Sequence, residues 1–334
     1  MTAMPHMPTE DAPRQTAGDR QAIQGRIGFV GLGRMGSVMA ANLAAGGCGV
    51  TAYTRRPELS DQLAALGLHP SRDIHDLFEC DIVISMLPDD AAVHSIVFGQ
   101  NDELGLDGLA ANLMPGAVHL SMSTISTAAA SRFAREHKRC NQHYVAAPVF
   151  GNPDAARARE LFIISAGEAD QVDRVRPIFD LLGQQTFYVG ADPANANLVK
   201  LAGNVMTATA LEALGEILSL VRKRGLDAEM FLNILTSTMF GSRVHKIYGA
   251  KIAAERYAAS GFVLPLALKD VRLALGEAEA ASVPMPSVSV VRDRLITGIA
   301  RGYANLDWSA LGLVAAQEAG LTINVEPERK ATSI

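Results

Sequence analysis

The stretch RIGFVGLGRMGSVMAANL, residues 26–43, constrains the fold more than any other part of this chain. A short apolar run is followed by Gly31-Leu32-Gly33-Arg34-Met35-Gly36, and then by apolar residues at helical spacing. A G-x-G-x-x-G string alone is a weak signal. Placed between a strand and a helix it becomes the fingerprint of a dinucleotide-binding turn. Gly31 allows the tight turn, Gly33 lets the backbone approach a pyrophosphate, and Gly36 lets the helix pack against the strand. The helix N-terminus then offers free amides and a positive dipole end to the phosphates. Leu32, Arg34 and Met35 complete the expected cofactor cradle.

From Arg26 to about Val189 short apolar runs alternate with helix-like stretches: RIGFV, GVTAY, DIVISML, AVHLSM and HYVAAPV. LFIIS and TFYV read as closing strands of the same domain. The alternation predicts a mostly parallel sheet covered on both faces. Asp192-Pro193 then marks a helix start, and helical periodicity runs to about Arg224, where Gly225 is the expected stop. Beyond it only helices are expected, over 228–236, 244–257, 266–281, 287–302 and 308–318. The predicted class is α/β: an N-terminal Rossmann doubly wound sheet, a long connecting helix and an all-helical C-terminal domain. Residues 1–24 read as a disordered leader, 25–191 as the nucleotide-binding domain, 192–322 as the helical domain and 323–334 as a tail.

Composition removes several classes. Nearly half the residues are apolar and the net charge is only −5, with no basic stripe, which argues against nucleic acid as a partner. No apolar run is expected to span a membrane. Cys48, Cys80 and Cys140 are widely spaced and odd in number, making neither a disulfide framework nor a metal motif. A reducing, cytoplasmic setting is the expectation.

The second strand ends in Tyr53-Thr54-Arg55-Arg56. An NAD site places an acid about here, on the ribose hydroxyls. No acid is present, and two arginines stand instead, suited to a 2′-phosphate. Two solvated surface arginines would read the same way. The missing acid tilts the expectation to NADP, with NAD as the alternative.

The run NLVKLAGNVM, residues 197–206, is largely apolar yet contains Lys200 and, one turn later, Asn204. The two share one helical face. Two readings stand open. Lys200 lies at the edge of the apolar face and its ammonium snorkels to water. Alternatively it points into a cleft between domains and donates a proton to an oxygen that becomes an alkoxide as hydride arrives. Gly203 would admit something close to that side. No tyrosine–lysine acid pair and no catalytic zinc cluster offers another route.

With this lysine placed, the chain resembles the β-hydroxyacid dehydrogenase family, that of 3-hydroxyisobutyrate dehydrogenase and glyoxylate/succinic semialdehyde reductase. GFVGLGRMG, ISMLP (84–88), SMSTIS (121–126), AAPVFG (146–151), KLAGN (200–204), LKDVRLAL (268–275) and LDWSA (306–310) carry the resemblance in order. It implies that Lys200 is the catalytic lysine and Asn204 its neighbouring asparagine. It implies that Ser123 holds the substrate carboxylate, with Thr124 beside the cofactor and Leu87 and Pro88 in the loop over the ribose and nicotinamide. It implies that Lys269 reaches the cofactor side of the cleft, and that the helical domain builds a homodimer or homotetramer. The family has Ser-Gly-Gly where this chain has Phe150-Gly151-Asn152, so Gly151 keeps the substrate-facing backbone while Phe150 removes a hydroxyl and adds apolar volume. A small-molecule substrate bulkier or less polar than glyoxylate, or one that is not a carboxylic acid, is expected. Two rivals remain: an imine reductase on the same scaffold, and a cofactor-binding scaffold without turnover.

Overall fold

A computed structural model describes residues 23, 25–99, 108–258 and 261–323. The expected leader, apart from Ile23, and the expected tail beyond Ile323 lie outside the described residues.

Six strands form one parallel sheet: β1 (Ile27–Val30), β2 (Val50–Tyr53), β3 (His69–Ser71), β4 (Ile82–Ser85), β5 (Val118–Ser121) and β6 (His143–Ala146). Their order is β3-β2-β1-β4-β5-β6. It is the doubly wound order, whose direction reverses between β1 and β4. Every residue of β1, β4 and β5 is buried, as a sheet covered on both faces requires. The helices of this half are α1 (Gly36–Ala45), α2 (Ser60–Ala65), α3 (Asp90–Phe98), α4 (Leu109–Asn112), α5 (Thr127–Arg139), α6 (Pro153–Arg157) and α7 (Ala169–Leu182).

HYVAAPV is not one strand, as its apolar run suggests. It divides into β6 and β7 (Val149–Phe150), and β7 belongs to a second sheet with β8 (Leu161–Ser165) and β9 (Gly183–Tyr188). Pro148, which lacks an amide donor, stands at the division. Its carbonyl accepts from Ile164 N at 3.0 Å, and an antiparallel bridge between Ala146 and Ala166 ties the two sheets.

The long helix α8 (Pro193–Lys223) starts where Asp192 accepts from Ala194 N at 3.0 Å, and the chain leaves it through Gly225 at φ +76°. The helices α9 (Ala228–Ser237), α10 (Arg243–Ala253), α11 (Leu264–Ala280), α12 (Pro286–Ala300) and α13 (Leu311–Glu318) follow. α8 packs against α5, β6 and β8 on one side and against α10, α11 and α13 on the other. Its length and composition would suffice to cross a membrane, contrary to the expectation from the sequence. Its buried residues include Lys200, Asn204 and Glu212, and it serves as the core helix of this fold.

Candidate active site

The glycine turn is built as its spacing demands. Gly31 sits at φ +94°, and a Cβ there would strike the Met86 carbonyl. A Cβ at Gly36 would strike the Gly31 carbonyl, so the first turn of α1 closes directly on the loop. Gly33 has nothing within 4 Å of a would-be Cβ. Leu32 is buried, Met35 half-buried and Arg34 exposed. No side chain caps the N-terminus of α1 and no acid stands in its first turn. Free amides at a positive dipole end, beside an open glycine, fit a pyrophosphate. Thr54 is buried and its Oγ1 accepts from Arg56 N at 3.1 Å, shaping the turn after β2. Arg55 and Arg56 are exposed, and Arg56 Nη2 donates to the Leu32 carbonyl at 3.2 Å. The second arginine therefore leans over the glycine loop.

The loops after β4 and β5 meet beside the reversal point. Ser123 is fully buried. Its Oγ accepts from Leu87 N at 2.8 Å and donates to the Ser85 carbonyl at 3.3 Å. The hydroxyl expected to hold a substrate carboxylate is thus engaged in bracing the Leu87–Pro88 loop. Thr124 is half-buried and its carbonyl accepts from Lys269 Nζ at 2.5 Å. Lys269 lies on α11, so this bond ties the helical half to the sheet half.

Lys200 is buried, and its Nζ donates to Asn204 Oδ1 at 2.9 Å. Asn204 Nδ2 donates to Asp270 Oδ2 at 2.5 Å, and Asp270 Oδ1 pairs with Lys269 at 2.9 Å. An ammonium can only donate and a carboxylate only accept, so the Asn204 amide has one orientation that serves both. The snorkelling alternative does not describe this lysine. Burial pulls its pKa down to about 8, against the opposing pull of Asp270, while Lys269 adds to the lowering. The close approach allowed by Gly203 is made by Phe150: a Cβ at 203 would lie 2.6 Å from the ring's Cε1. The Lys200 ammonium lies 4.3 Å from the centroid of that ring.

Lys200, Asn204, Phe150 and Gly151 line one cavity of about 610 Å³. Gly151 takes φ +144° there, against Leu161. Ser123, Thr124 and Lys269 do not line it, nor do the glycine loop and Thr54, Arg55 and Arg56. The sequence reading did not single out Asp270. It is 1% exposed and falls on the buried stripe Ala267, Val271, Ala274 and Ala278, where a carboxylate is out of place without a partner. It also missed Asn197, buried a turn before Lys200, whose Oδ1 accepts from Ile125 N at 3.2 Å.

Comparison with known proteins agrees with this fold. Residues 26–190 match the NAD-binding domain of 6-phosphogluconate dehydrogenase, and residues 194–315 match the NAD-binding domain of NADP-dependent 3-hydroxyisobutyrate dehydrogenase. The chain is 37% identical to the uncharacterised oxidoreductase YfjR of Bacillus subtilis, over 86% of this chain and 98% of that one. It is 32% identical to 2-hydroxy-3-oxopropionate reductase of Escherichia coli, over 86% and 95%. The structure of Mycobacterium tuberculosis 3-hydroxyisobutyrate dehydrogenase with L-serine superposes with a TM-score of 0.76 at 26% identity, covering 86% of this chain and 98% of that one. An imine reductase from Pseudomonas sp. shares the fold alone, with a TM-score of 0.56 at 22% identity.

The fold and site define an NAD(P)-dependent oxidoreductase acting on a CH–OH group. The chain belongs to the β-hydroxyacid dehydrogenase family, whose activity is hydroxyacid oxidation or the reverse reduction.

Proposed function

We propose that this chain is an NADP-dependent reductase, reversibly a dehydrogenase, of an aldehyde or keto acid, with Lys200 as its general acid and base. The observation that carries this reading is the buried Lys200 ammonium held by Asn204 at the wall of a cavity, with its pKa pulled to about 8. In reduction Lys200 Nζ gives a proton to the carbonyl oxygen, and in oxidation the neutral amine takes it back. As an ammonium it also stabilises the oxygen's developing negative charge. Asn204 and Asp270 fix where that proton points. Gly31, Leu32, Gly33, Arg34, Met35 and Gly36 would hold the cofactor's pyrophosphate, Leu87 and Pro88 would cover its ribose and nicotinamide with Thr124 beside them, and the bound cofactor would supply the hydride. Ser123 braces the covering loop, and Lys269 ties Thr124 to the helical half.

Arg55 and Arg56 support NADP over NAD, since each can meet a 2′-phosphate and residues 53–56, where β2 ends, hold no acid to meet a bare hydroxyl. Exposed apolar side chains on the helical half, Met206, Leu220 and Ile234 among them, support assembly of two or more copies.

The test is consumption of NADPH, with NADH in parallel, on glyoxylate, succinic semialdehyde, methylmalonate semialdehyde, an apolar aldehyde and a cyclic imine. Reduction of carbonyl compounds, lost in Lys200→Ala while NADPH still binds, is the expected result. Turnover of the imine alone would replace this reading with imine reduction. Normal carbonyl turnover by Lys200→Ala would remove the lysine from the chemistry.

A further inference from the structure

The cavity beside Lys200, at about 610 Å³, is far larger than a two- or three-carbon acid fills. Its apolar walls are Phe150, Phe162, Ile247, Tyr248, Phe262 and Trp308. Phe150 and Phe162 are direct partners across β7 and β8. Paired strand residues project from the same face of a sheet, so the two rings make one continuous floor. A cation stands over each ring: Lys200 Nζ is 4.3 Å from the Phe150 centroid, and the Arg243 guanidinium is 5.7 Å from that of Phe162.

These two are the positively charged residues among those lining the cavity. Lys200 is committed to Asn204 and the reacting oxygen. Arg243, at the start of α10, is 62% exposed, and its ion contact is Glu160 at 3.8 Å, beyond hydrogen-bond range. The other rim acid, Asp154, is paired with Arg157 at 2.9 Å. A hydroxy acid brings a carboxylate as well as the carbon that reacts, and a guanidinium takes a carboxylate through two parallel bonds.

We propose that Arg243 recognises the substrate's acid group, and that the substrate is a carbonyl acid whose carboxylate is separated from its carbonyl by an aryl or similarly bulky apolar spacer. The spacer lies on the Phe150–Phe162 floor, the carbonyl at Lys200 and the carboxylate at Arg243, with Glu160 displaced toward solvent. The inference rests on the reductase reading above for the role of Lys200.

The chain's single tryptophan, Trp308, is in the cavity wall, so its fluorescence reports occupancy without turnover. Three probes are titrated: 4-(hydroxymethyl)benzoate, the neutral 4-methylbenzyl alcohol, and glycolate. Wild type and Lys200→Ala should both bind the benzoate in preference to the other two. Arg243→Ala should weaken the benzoate about 10–100-fold, the loss of one charge-assisted pair, and bring it level with the neutral alcohol. Arg243→Lys should recover part of that preference. Glycolate binding as tightly as the benzoate, or an acid preference untouched in Arg243→Ala, would overturn the proposal. Reduction of 4-formylbenzoate is measured separately. If the benzoate binds as expected and no carbonyl is reduced, the reductase reading fails and the assignment of Arg243 as an acid receptor stands.

Discussion

The Lys200 ammonium rests 4.3 Å from the centre of the Phe150 ring, and that ring reaches it by lying against Gly203 on the lysine's own helix. A desolvated cation over an aromatic face gains about 0.5–2 kcal/mol. That gain favours the charged lysine and opposes burial. Replacing Phe150 with leucine keeps apolar volume and removes the ring. The midpoint of the pH profile of kcat/KM for reduction, expected near 8 in the wild type, should fall by roughly 0.4–1.5 units. A midpoint that does not move would show that the ring has no electrostatic role.

Asp270 also raises the pKa of Lys200 and fixes the Asn204 amide. Asp270→Asn removes a charge and leaves an amide that can donate or accept. The midpoint should again move down. The turnover rate should fall by up to about 10²-fold through loss of alignment. Steady-state pH profiles of the two proteins decide it: a slower enzyme with an unshifted midpoint would make Asp270 a structural residue only.

The Arg56 bond to the Leu32 carbonyl places a guanidinium beside the phosphate loop. Arg55→Ala and Arg56→Ala together should weaken NADP+ about 10–100-fold, the value of a lost charge-assisted contact, and leave NAD+ nearly as it was. Cofactor titrations followed by protein fluorescence measure both. An equal loss for the two cofactors would mean that these arginines do not read the 2′-phosphate.

A second prediction about pH concerns stability. Gln142 Nε2 donates to the Ala110 and Leu113 carbonyls, so its Oε1 must accept from His137 Nδ1, at 2.7 Å. His137 Nε2 then accepts from His119 Nδ1 at 2.9 Å, and His119 Nε2 accepts from Ser85 Oγ at 2.8 Å. In this pattern each ring carries one proton, and both rings are fully buried. Burial first, and for His119 the neighbouring ring, push both pKa values down, that of His137 to about 4. Below pH 6.5 the unfolded chain takes up protons that the folded chain refuses. Stability therefore falls as pH drops from 6.5 to 4, by about 3 kcal/mol for His137 alone. His137→Gln should flatten that part of the curve of melting temperature against pH. A curve parallel to the wild type's would refute the assignment.

Much of this site was legible in the chain. Gly31 and Gly36 are dictated by local sterics, and Lys200 with Asn204 by the helical repeat, so short windows suffice. Asp270 was readable too, as a carboxylate at a position the repeat of α11 assigns to the interior. The encounter of Phe150 with Gly203 was not, because it depends on how the second sheet docks on α8. Ser123 shows the same limit. Its motif was plain, but the bonds that engage its hydroxyl come from Ser85, at the end of β4, and from Leu87 in the loop after it. HYVAAPV misled because an apolar run carries no mark of which sheet it joins.

The placement of α8 between the two halves has a mechanical consequence. Its residues are buried by α5, β6 and β8 on one flank and by α10, α11 and α13 on the other. Lys200 is thus mounted on the beam that both halves share, not on either one. Heating should collapse the two halves in a single calorimetric transition, since neither can shed the beam without exposing the other's interior. Breathing that admits and releases small molecules must then come from the loops and short helices around the beam, with Lys200 as the fixed point of the motion.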